Sequence, residues 1–276
     1  MPELPEVETI RLTLQSKLVG RTIVSGRVLL TKLIQNQTPE EFLAEIGGKK
    51  IIKLDRRGKY LLFYLEGAES AGLILAIHLR MTGQLKVDLR DTPLEKAVYL
   101  QLLLDNGSEL RYRDQRKFGR VTLFPAGHPP KALEKLGPEP LAADFTVQAL
   151  KNQLGKRRIA IKKALLDQEV IAGIGNIYAD ESLFLAGIHP ARLVSSLNDQ
   201  EITGLFSAIQ TVLSGAIQNH GTTKRDYRDG NGNSGTNQEY LRVYDRKGLA
   251  CYQCGNMIVK MNLGGRGTHF CPICQR

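Results

Sequence analysis

The stretch Cys251-Tyr-Gln-Cys254, followed sixteen residues later by Cys271-Pro-Ile-Cys274, contains every cysteine in the chain. Two C-x-x-C pairs at that separation match a zinc ribbon, in which each pair sits on a tight turn and supplies half a tetrahedron. A pair of disulfides is the alternative. The chain opens with no secretory signal, so a reducing compartment is expected to leave the thiols free for metal. The expectation is one structural Zn2+ held by Cys251, Cys254, Cys271 and Cys274. Between the pairs lies Gly264-Gly-Arg-Gly-Thr268, whose glycines would let the backbone approach another surface and make Arg266 a ligand-facing tip.

Upstream of this module the chain is long enough, at 276 residues, for two further domains with their own cores. The longest apolar run, Leu73 to Leu79, is interrupted by His78 and reads as a buried strand, so a soluble protein without membrane spans is expected. Net charge is +10, shared between the halves: residues 1–150 hold 22 basic and 18 acidic side chains, and 151–276 hold 16 and 10. Basic surface on both halves suggests a polyanion lying between them.

Residues 3–19 have helical period, with Pro5 suited to the first turn, Glu3, Glu6 and Glu8 near its positive end, and Val7, Ile10, Leu14 and Leu18 on one face. From Arg21 to Phe124 the pattern becomes β-rich, with strands expected at Lys50–Leu54, Lys59–Leu65, Leu73–Leu79, Val98–Leu104 and Glu109–Arg113. Turn signals such as Asp105-Asn-Gly107 favour a β-sandwich. Pro125 to Pro140 holds five of the eleven prolines and reads as a linker, and Thr146 to His220 is helical in period with Asn198 and Asp199 as candidate caps. The Gly/Asn-rich stretch 227–237 reads as a mobile loop.

Removal of Met1 would leave Pro2 as a secondary amine at the chain terminus. Terminal amines have pKa values of about 7.7–8.0, so part of the population is unprotonated and nucleophilic at neutral pH. Glu3 beside it could relay protons. Taken alone, Met-Pro is no more than a processing signal. Other motifs give it context: Arg56-Arg-Gly-Lys-Tyr60, His78-Leu-Arg-Met81, Asp114-Gln-Arg-Lys-Phe-Gly119, Gly137-Pro-Glu-Pro140 and Gly173-Ile-Gly-Asn-Ile-Tyr-Ala-Asp-Glu181. Together with the opening Met-Pro-Glu-Leu-Pro-Glu-Val-Glu-Thr and the final cysteine hairpin, they resemble bacterial formamidopyrimidine-DNA glycosylase over essentially the whole chain.

That resemblance implies an α+β multidomain fold: a catalytic β-sandwich domain with an N-terminal helix at 1–128, a linker at 129–145, a helical helix-two-turn-helix domain with a lid loop at 146–240, and a four-cysteine zinc finger at 241–276. It implies a monomeric, cytoplasmic, nucleoid-associated repair enzyme acting on double-stranded DNA. Oxidised purines such as 8-oxoguanine and formamidopyrimidines would be released, and the abasic strand cut by β and δ elimination. Pro2 then resembles the nucleophile at C1′, Glu3 the proton donor, Lys59 the basic residue near the lesion and its phosphate, and Arg266 the finger arginine on the flanking phosphates. A guanidinium can clamp phosphate in bidentate fashion. Met81, Arg116 and Phe118 resemble the triad that fills the space of an extruded nucleotide, where unstacking costs a few kcal/mol. Asn176, Lys162, Arg157 and Tyr244 resemble phosphate contacts, and 227–237 the lid over the everted base.

Two segments depart from the family pattern. Many members read Lys-His-Asp-His where this chain has Lys96-Ala-Val-Tyr99, and many read Val-Tyr-Gly-Arg where it has Val243-Tyr-Asp-Arg246. Base preference is the property these departures touch. Alternatives are an endonuclease VIII-like glycosylase for oxidised pyrimidines, against which Leu4 and residues 81, 116 and 118 argue, and a non-catalytic zinc-ribbon DNA-binding protein.

Overall fold

The computed structural model describes residues 1–66, 72–155 and 157–276. Two compact units emerge, one formed by Met1–Glu134 with His220–Thr236 and the other by Lys135–Asn219 with Asn237–Arg276. In chain order the first unit carries α1 (Leu4–Leu18), β1 (Ile23–Val28), β2 (Ile34–Gln35), α2 (Pro39–Ile46), β3 (Ile51–Arg57), β4 (Tyr60–Leu65), β5 (Leu73–His78), β6 (Gly83–Leu89), β7 (Val98–Leu104), β8 (Ser108–Asp114), β9 (Arg120–Pro125) and the short α3 (Lys131–Glu134).

The strands form the expected sandwich from a four-stranded sheet, β1-β7-β8-β6, and a five-stranded sheet, β2-β9-β5-β4-β3. Alternation decides which side chains enter the core: Leu100, Leu102 and Leu104 of β7 and Leu110 and Tyr112 of β8 meet Leu61, Phe63, Leu75 and Ile77 of the other sheet. Helix α1 adds Val7, Ile10, Leu14 and Leu18 to the same cluster, the face its period assigns. Its start is fixed when Glu6 Oε2 accepts the main-chain N–H of Glu3 at 2.7 Å, one half of a capping box.

The resemblance implies that 220–236 belongs to the helical domain at 146–240; in the structure His220–Thr236 packs within the first unit. The physical reason is Tyr227, whose ring joins the sandwich core cluster. Its hydroxyl donates to the carbonyl of His220 at 3.1 Å. A loop that is polar overall is thus pinned by one aromatic residue, and burial of such a ring outweighs the local turn signal.

The second unit holds α4 (Val147–Leu154), α5 (Ile161–Leu166), α6 (Asn176–Leu185), α7 (Asp199–Gln218) and the finger hairpin β10 (Val259–Leu263) with β11 (Arg266–Phe270). Asn198 caps α7 and Glu201 completes the box by accepting the Asn198 N–H at 2.8 Å. Between α5 and α6 the chain turns on Gln168, which accepts from the Gly173 N–H at 2.9 Å and donates to the Ile174 carbonyl at 2.8 Å. Gly173 stands at φ +87°, a left-handed conformation that glycine adopts without strain. Among the described residues no helix is long and apolar enough to cross a membrane.

Candidate active site and nucleic-acid interface

Pro2 and Glu3 lie directly before α1 and both are buried, while Met1 is half exposed. Glu6 serves two masters: one carboxylate oxygen holds the Glu3 amide, and the other accepts the Thr222 N–H at 2.8 Å. Lys59 occupies the two-residue turn between β3 and β4 with Gly58 at φ +55°, not the head of a strand as its β-rich neighbours suggest. It is only 6 % exposed, so it does not act as a solvating edge lysine. Arg56 fastens this turn to α1: its Nε donates to Glu8 at 3.1 Å and its Nη1 to the Gly58 carbonyl at 3.0 Å. Glu8 in turn pairs with Arg11 at 2.6 Å. One carboxylate therefore links the helix carrying Pro2 and Glu3 to the hairpin carrying Lys59.

His78 ends β5 opposite Tyr60, with the two rings edge to face at 4.6 Å. Its Nδ1 accepts the Arg80 N–H at 3.0 Å. Burial, with the charges of Arg80 and then Lys59 adding, pushes the imidazole down to about 3, so it is neutral at physiological pH. The loop it supports carries Met81.

Met81 is 41 % and Phe118 45 % exposed, unusual for large apolar side chains. Arg116 joins them, with Nη1 at 3.0 Å from the Met81 sulfur and its guanidinium 4.8 Å above the Phe118 ring. The mount beneath them is Asp114. One of its oxygens accepts from the hydroxyl of Thr82 and, at 3.2 Å, from the Arg116 N–H. The other accepts from the main-chain N–H groups of Phe118 and Gly119, both at 2.8 Å, and from the Tyr112 hydroxyl at 3.3 Å. Burial first, then Asp114 itself, drives the Tyr112 phenol far upward, which keeps it a donor. The residues just before Met81 and Phe118, Arg80 and Lys117, stand at φ +56° and +58°, strained values for such side chains. Gly119 has no alternative: a methyl group there would lie 1.7 Å from the Tyr112 hydroxyl oxygen.

In the second unit Lys162 is turned inward. Its side chain is 1 % exposed; its ammonium forms an ion pair with Asp180 Oδ1 at 2.7 Å and donates to Thr268 Oγ1 at 2.8 Å and the Gly267 carbonyl at 3.2 Å. Burial and these contacts direct it at the finger strand. Asn176, the first residue of α6, turns its amide nitrogen to the same Gly267 carbonyl at 2.9 Å. Asp180 also accepts the His269 N–H at 2.9 Å. These side chains grip the finger strand just past Arg266. Arg157 is held by Asp167 at 3.0 Å rather than standing free. Tyr244 is set by Glu181, whose carboxylate accepts the N–H groups of Arg242, Val243 and Tyr244 at 2.8–2.9 Å, and its ring meets His269 edge to face at 5.1 Å.

Arg266 opens β11 and is exposed; the Leu263–Arg266 pair is closed by Gly264 and Gly265 at φ +60° and +75°, the two positive values a type I′ turn requires. Below it the four Sγ atoms all lie within 4.8 Å of one another, with Cys251–Cys274 at 3.9 Å and Cys254–Cys271 at 3.5 Å. Tetrahedral zinc at about 2.3 Å from each sulfur requires S–S edges of roughly 3.8 Å, so the donor set and its spacing fit that ion. Four thiolates leave no open coordination position, which makes the metal structural.

Sequence reasoning missed Asp114, Asp180, Glu181 and Glu6 as organising acids, although all four lie inside motifs it quoted. A signal existed at Asp114, since an acidic residue four positions before an exposed aromatic can cap the intervening turn. Nothing comparable marks Asp180, whose partners lie far along the chain.

Three family models match in order: the formamidopyrimidine-DNA glycosylase N-terminal domain at 1–121, the formamidopyrimidine-DNA glycosylase H2TH domain at 136–227, and the zinc finger found in FPG and IleRS at 248–276. The formamidopyrimidine-DNA glycosylase of Pelotomaculum thermopropionicum is 48 % identical over 278 residues, covering 100 % of this chain and 99 % of that protein. Lactococcus lactis Fpg has been solved with abasic-site DNA (TM-score 0.90, 38 % identity, 99 % of each chain) and, as the wild type, with N7-benzyl-Fapy-dG DNA (TM-score 0.90, 38 % identity, 100 % of each chain). A proline at position 2 beside buried acids, an exposed Met81–Arg116–Phe118 cluster on a carboxylate mount and a four-cysteine finger with an exposed arginine thus coincide with matches along the whole length, and the chain belongs to the formamidopyrimidine-DNA glycosylase family.

Proposed function

We propose that this protein excises oxidised purines from duplex DNA and then cleaves the abasic strand, with Pro2 as nucleophile, as a monomeric enzyme of the bacterial nucleoid. The reading is carried by the exposed Met81–Arg116–Phe118 cluster. Two large apolar side chains held in water by a rigid mount are costly unless they enter something, and a helix vacated by an extruded nucleotide is what they fit. Arg116 then meets the orphaned base, and Met81 and Phe118 occupy the gap.

With Met1 removed, the Pro2 nitrogen lone pair attacks C1′ as the glycosidic bond breaks, and the electron pair of that bond leaves with the base as it gains a proton. Glu3 supplies the proton for base release, recovers one from the attacking nitrogen and passes it to O4′ as the nitrogen lone pair breaks the C1′–O4′ bond, opening the ring to an iminium. The iminium acidifies C2′, so loss of that proton expels the 3′-phosphate, and a second elimination expels the 5′-phosphate. Lys59 stabilises charge near the lesion, and Arg266 clamps the flanking phosphate. Asn176 and Tyr244 hold the strand, while Lys162 acts indirectly by holding the Arg266 hairpin. Zinc supplies no chemistry to the reaction; it maintains the hairpin.

Borohydride treatment with an 8-oxoguanine duplex tests this reading. A covalent protein–DNA adduct is expected, mapped by peptide mass to Pro2 with Met1 absent. Absence of an adduct on any lesion or abasic duplex sinks the Schiff-base mechanism, and an adduct confined to oxidised pyrimidines moves the protein to the endonuclease VIII-like class.

A further inference from the structure

The loop 220–236 does not present its Gly/Asn-rich part to the start of α1. Its neck does that: the Thr222 N–H donates to Glu6 at 2.8 Å, the Gly235 N–H donates to Thr223 Oγ1 at 2.9 Å, and a methyl group on Gly235 would lie 2.1 Å from the Gly221 carbonyl oxygen. The two arms of the loop therefore cross in close contact beside the residue that also holds the Glu3 amide. The tip lies elsewhere. Asp229 closes it by accepting the N–H groups of Asn231 and Asn233 at 2.9 and 2.8 Å. The Gly230 N–H donates to Thr13 Oγ1 at 2.9 Å, and Lys17 reaches the Gly230 carbonyl at 3.5 Å. From Glu6 to Leu14 along a helix is about 12 Å. Between neck and tip, Tyr227 enters the core and Gln84 donates to the Asp226 carbonyl.

We propose that the 229–233 turn is a positioning latch: seated on α1 at Thr13 and Leu14, it holds the loop neck against Glu6 and thereby sets how the enzyme receives a damaged base. This deepens the glycosylase reading and rests on it. The seat is close-fitting, because a methyl group on Gly230 would lie 2.6 Å from Leu14 Cγ and Cδ2 and 2.8 Å from Thr13 Oγ1. Leu14 is fully buried and cannot yield, so the turn must lift. Tyr227, two residues before the turn, is bonded through its hydroxyl to the His220 carbonyl at 3.1 Å and carries that displacement to the neck. An abasic substrate has no base to receive, so its cleavage does not depend on the latch.

Gly230→Ala and Thr13→Val test the latch, with Thr13→Ser as the variant that retains the hydroxyl. Excision from 8-oxoguanine duplex is expected to fall about tenfold or more in the first two, while cleavage of a preformed abasic duplex stays within about twofold of wild type. Thr13→Ser should behave as wild type in both assays. Amide exchange at Thr222 and Gly235 should rise in Gly230→Ala. Equal losses on both duplexes would reduce the turn to a stability element, and unchanged excision or unchanged neck exchange would overturn the proposal. A wild-type protein inactive on both duplexes would refute the glycosylase reading instead, and the exchange measurement alone would then decide whether tip and neck are coupled.

Discussion

Each unit carries one arginine to which the proposed function gives a place on the duplex, Arg116 in the first and Arg266 in the second, but the loops beneath them are fastened by different chemistry. Arg116 stands on a local mount. Asp114 takes its main-chain donors from residues 116, 118 and 119, all within five positions. Arg266 stands on a distant one: the strand after it is held by Lys162, Asn176 and Asp180, which lie 89–106 positions earlier in the chain, and by four thiolates placed for a metal. Local mounts survive as short motifs. Distant mounts are invisible until the chain is folded.

Removing one member of the distant mount should have the largest effect. Asp180→Leu leaves the Lys162 ammonium buried without its counter-charge, at an expected cost of about 3–5 kcal/mol in urea unfolding. Adding Lys162→Met should recover most of that loss, since a buried apolar pair is no worse than a buried ion pair. Failure of the double variant to recover would show that Lys162 contributes more to the finger strand than charge pairing.

Acid should find a weak point beneath the loop that carries Met81, at His78. His78 has a folded pKa near 3 against an ordinary value of 6.5, so the unfolded chain binds the proton more readily throughout that window. Stability contributed by neutral His78 is thus complete above about 6.5 and falls as pH drops, by up to about 3 kcal/mol at pH 4. His78→Gln should flatten the difference in denaturation midpoint between pH 7 and pH 4. An unchanged slope would assign the acid sensitivity to other groups.

Asp114→Asn is expected to cost about 2–3 kcal/mol, because an amide offers one acceptor oxygen where the carboxylate offers two charged ones. DNA affinity should fall with it as the wedge loop loosens, read by fluorescence anisotropy. The smallest effect is expected at Ala97, which departs from the family pattern, stands at φ +66° and accepts the Asp114 N–H at 2.9 Å. Ala97→Gly should raise stability by about 0.5–1 kcal/mol, relief of left-handed strain exceeding the entropy that glycine loses. A loss instead would mean the alanine methyl packs usefully at the edge of the mount.

Much of the site was readable before folding. The cysteine spacing named the metal, and the 3.6-residue period of Val7, Ile10, Leu14 and Leu18 named the buried face of α1. The triad of Met81, Arg116 and Phe118 was legible through its motifs, and the structure brings the three into contact. Lys162 was not legible. The resemblance implies a phosphate contact for this lysine, and only the fold shows that it is paired with a carboxylate eighteen residues later in the chain, Asp180. Residues 220–236 went astray for a related reason, since a polar composition cannot reveal that one tyrosine finds a place in another domain's core.

Sequence alone therefore determined which reactive groups this protein carries: a proline that can become a terminal amine, acids beside it, the Met81, Arg116 and Phe118 motifs, and thiolates for one zinc. Those follow from residue types and short spacings, where the interacting groups are neighbours along the chain. Tertiary structure decided which charges lie in the interior and which stay at the surface. Lys162 is paired with Asp180 in the interior, Arg157 pairs with Asp167 at the partly exposed surface, and Arg266 is left exposed. The reason is that a buried ion pair forms only where folding excludes water from both partners, and that exclusion is a property of the packed chain rather than of any segment of it.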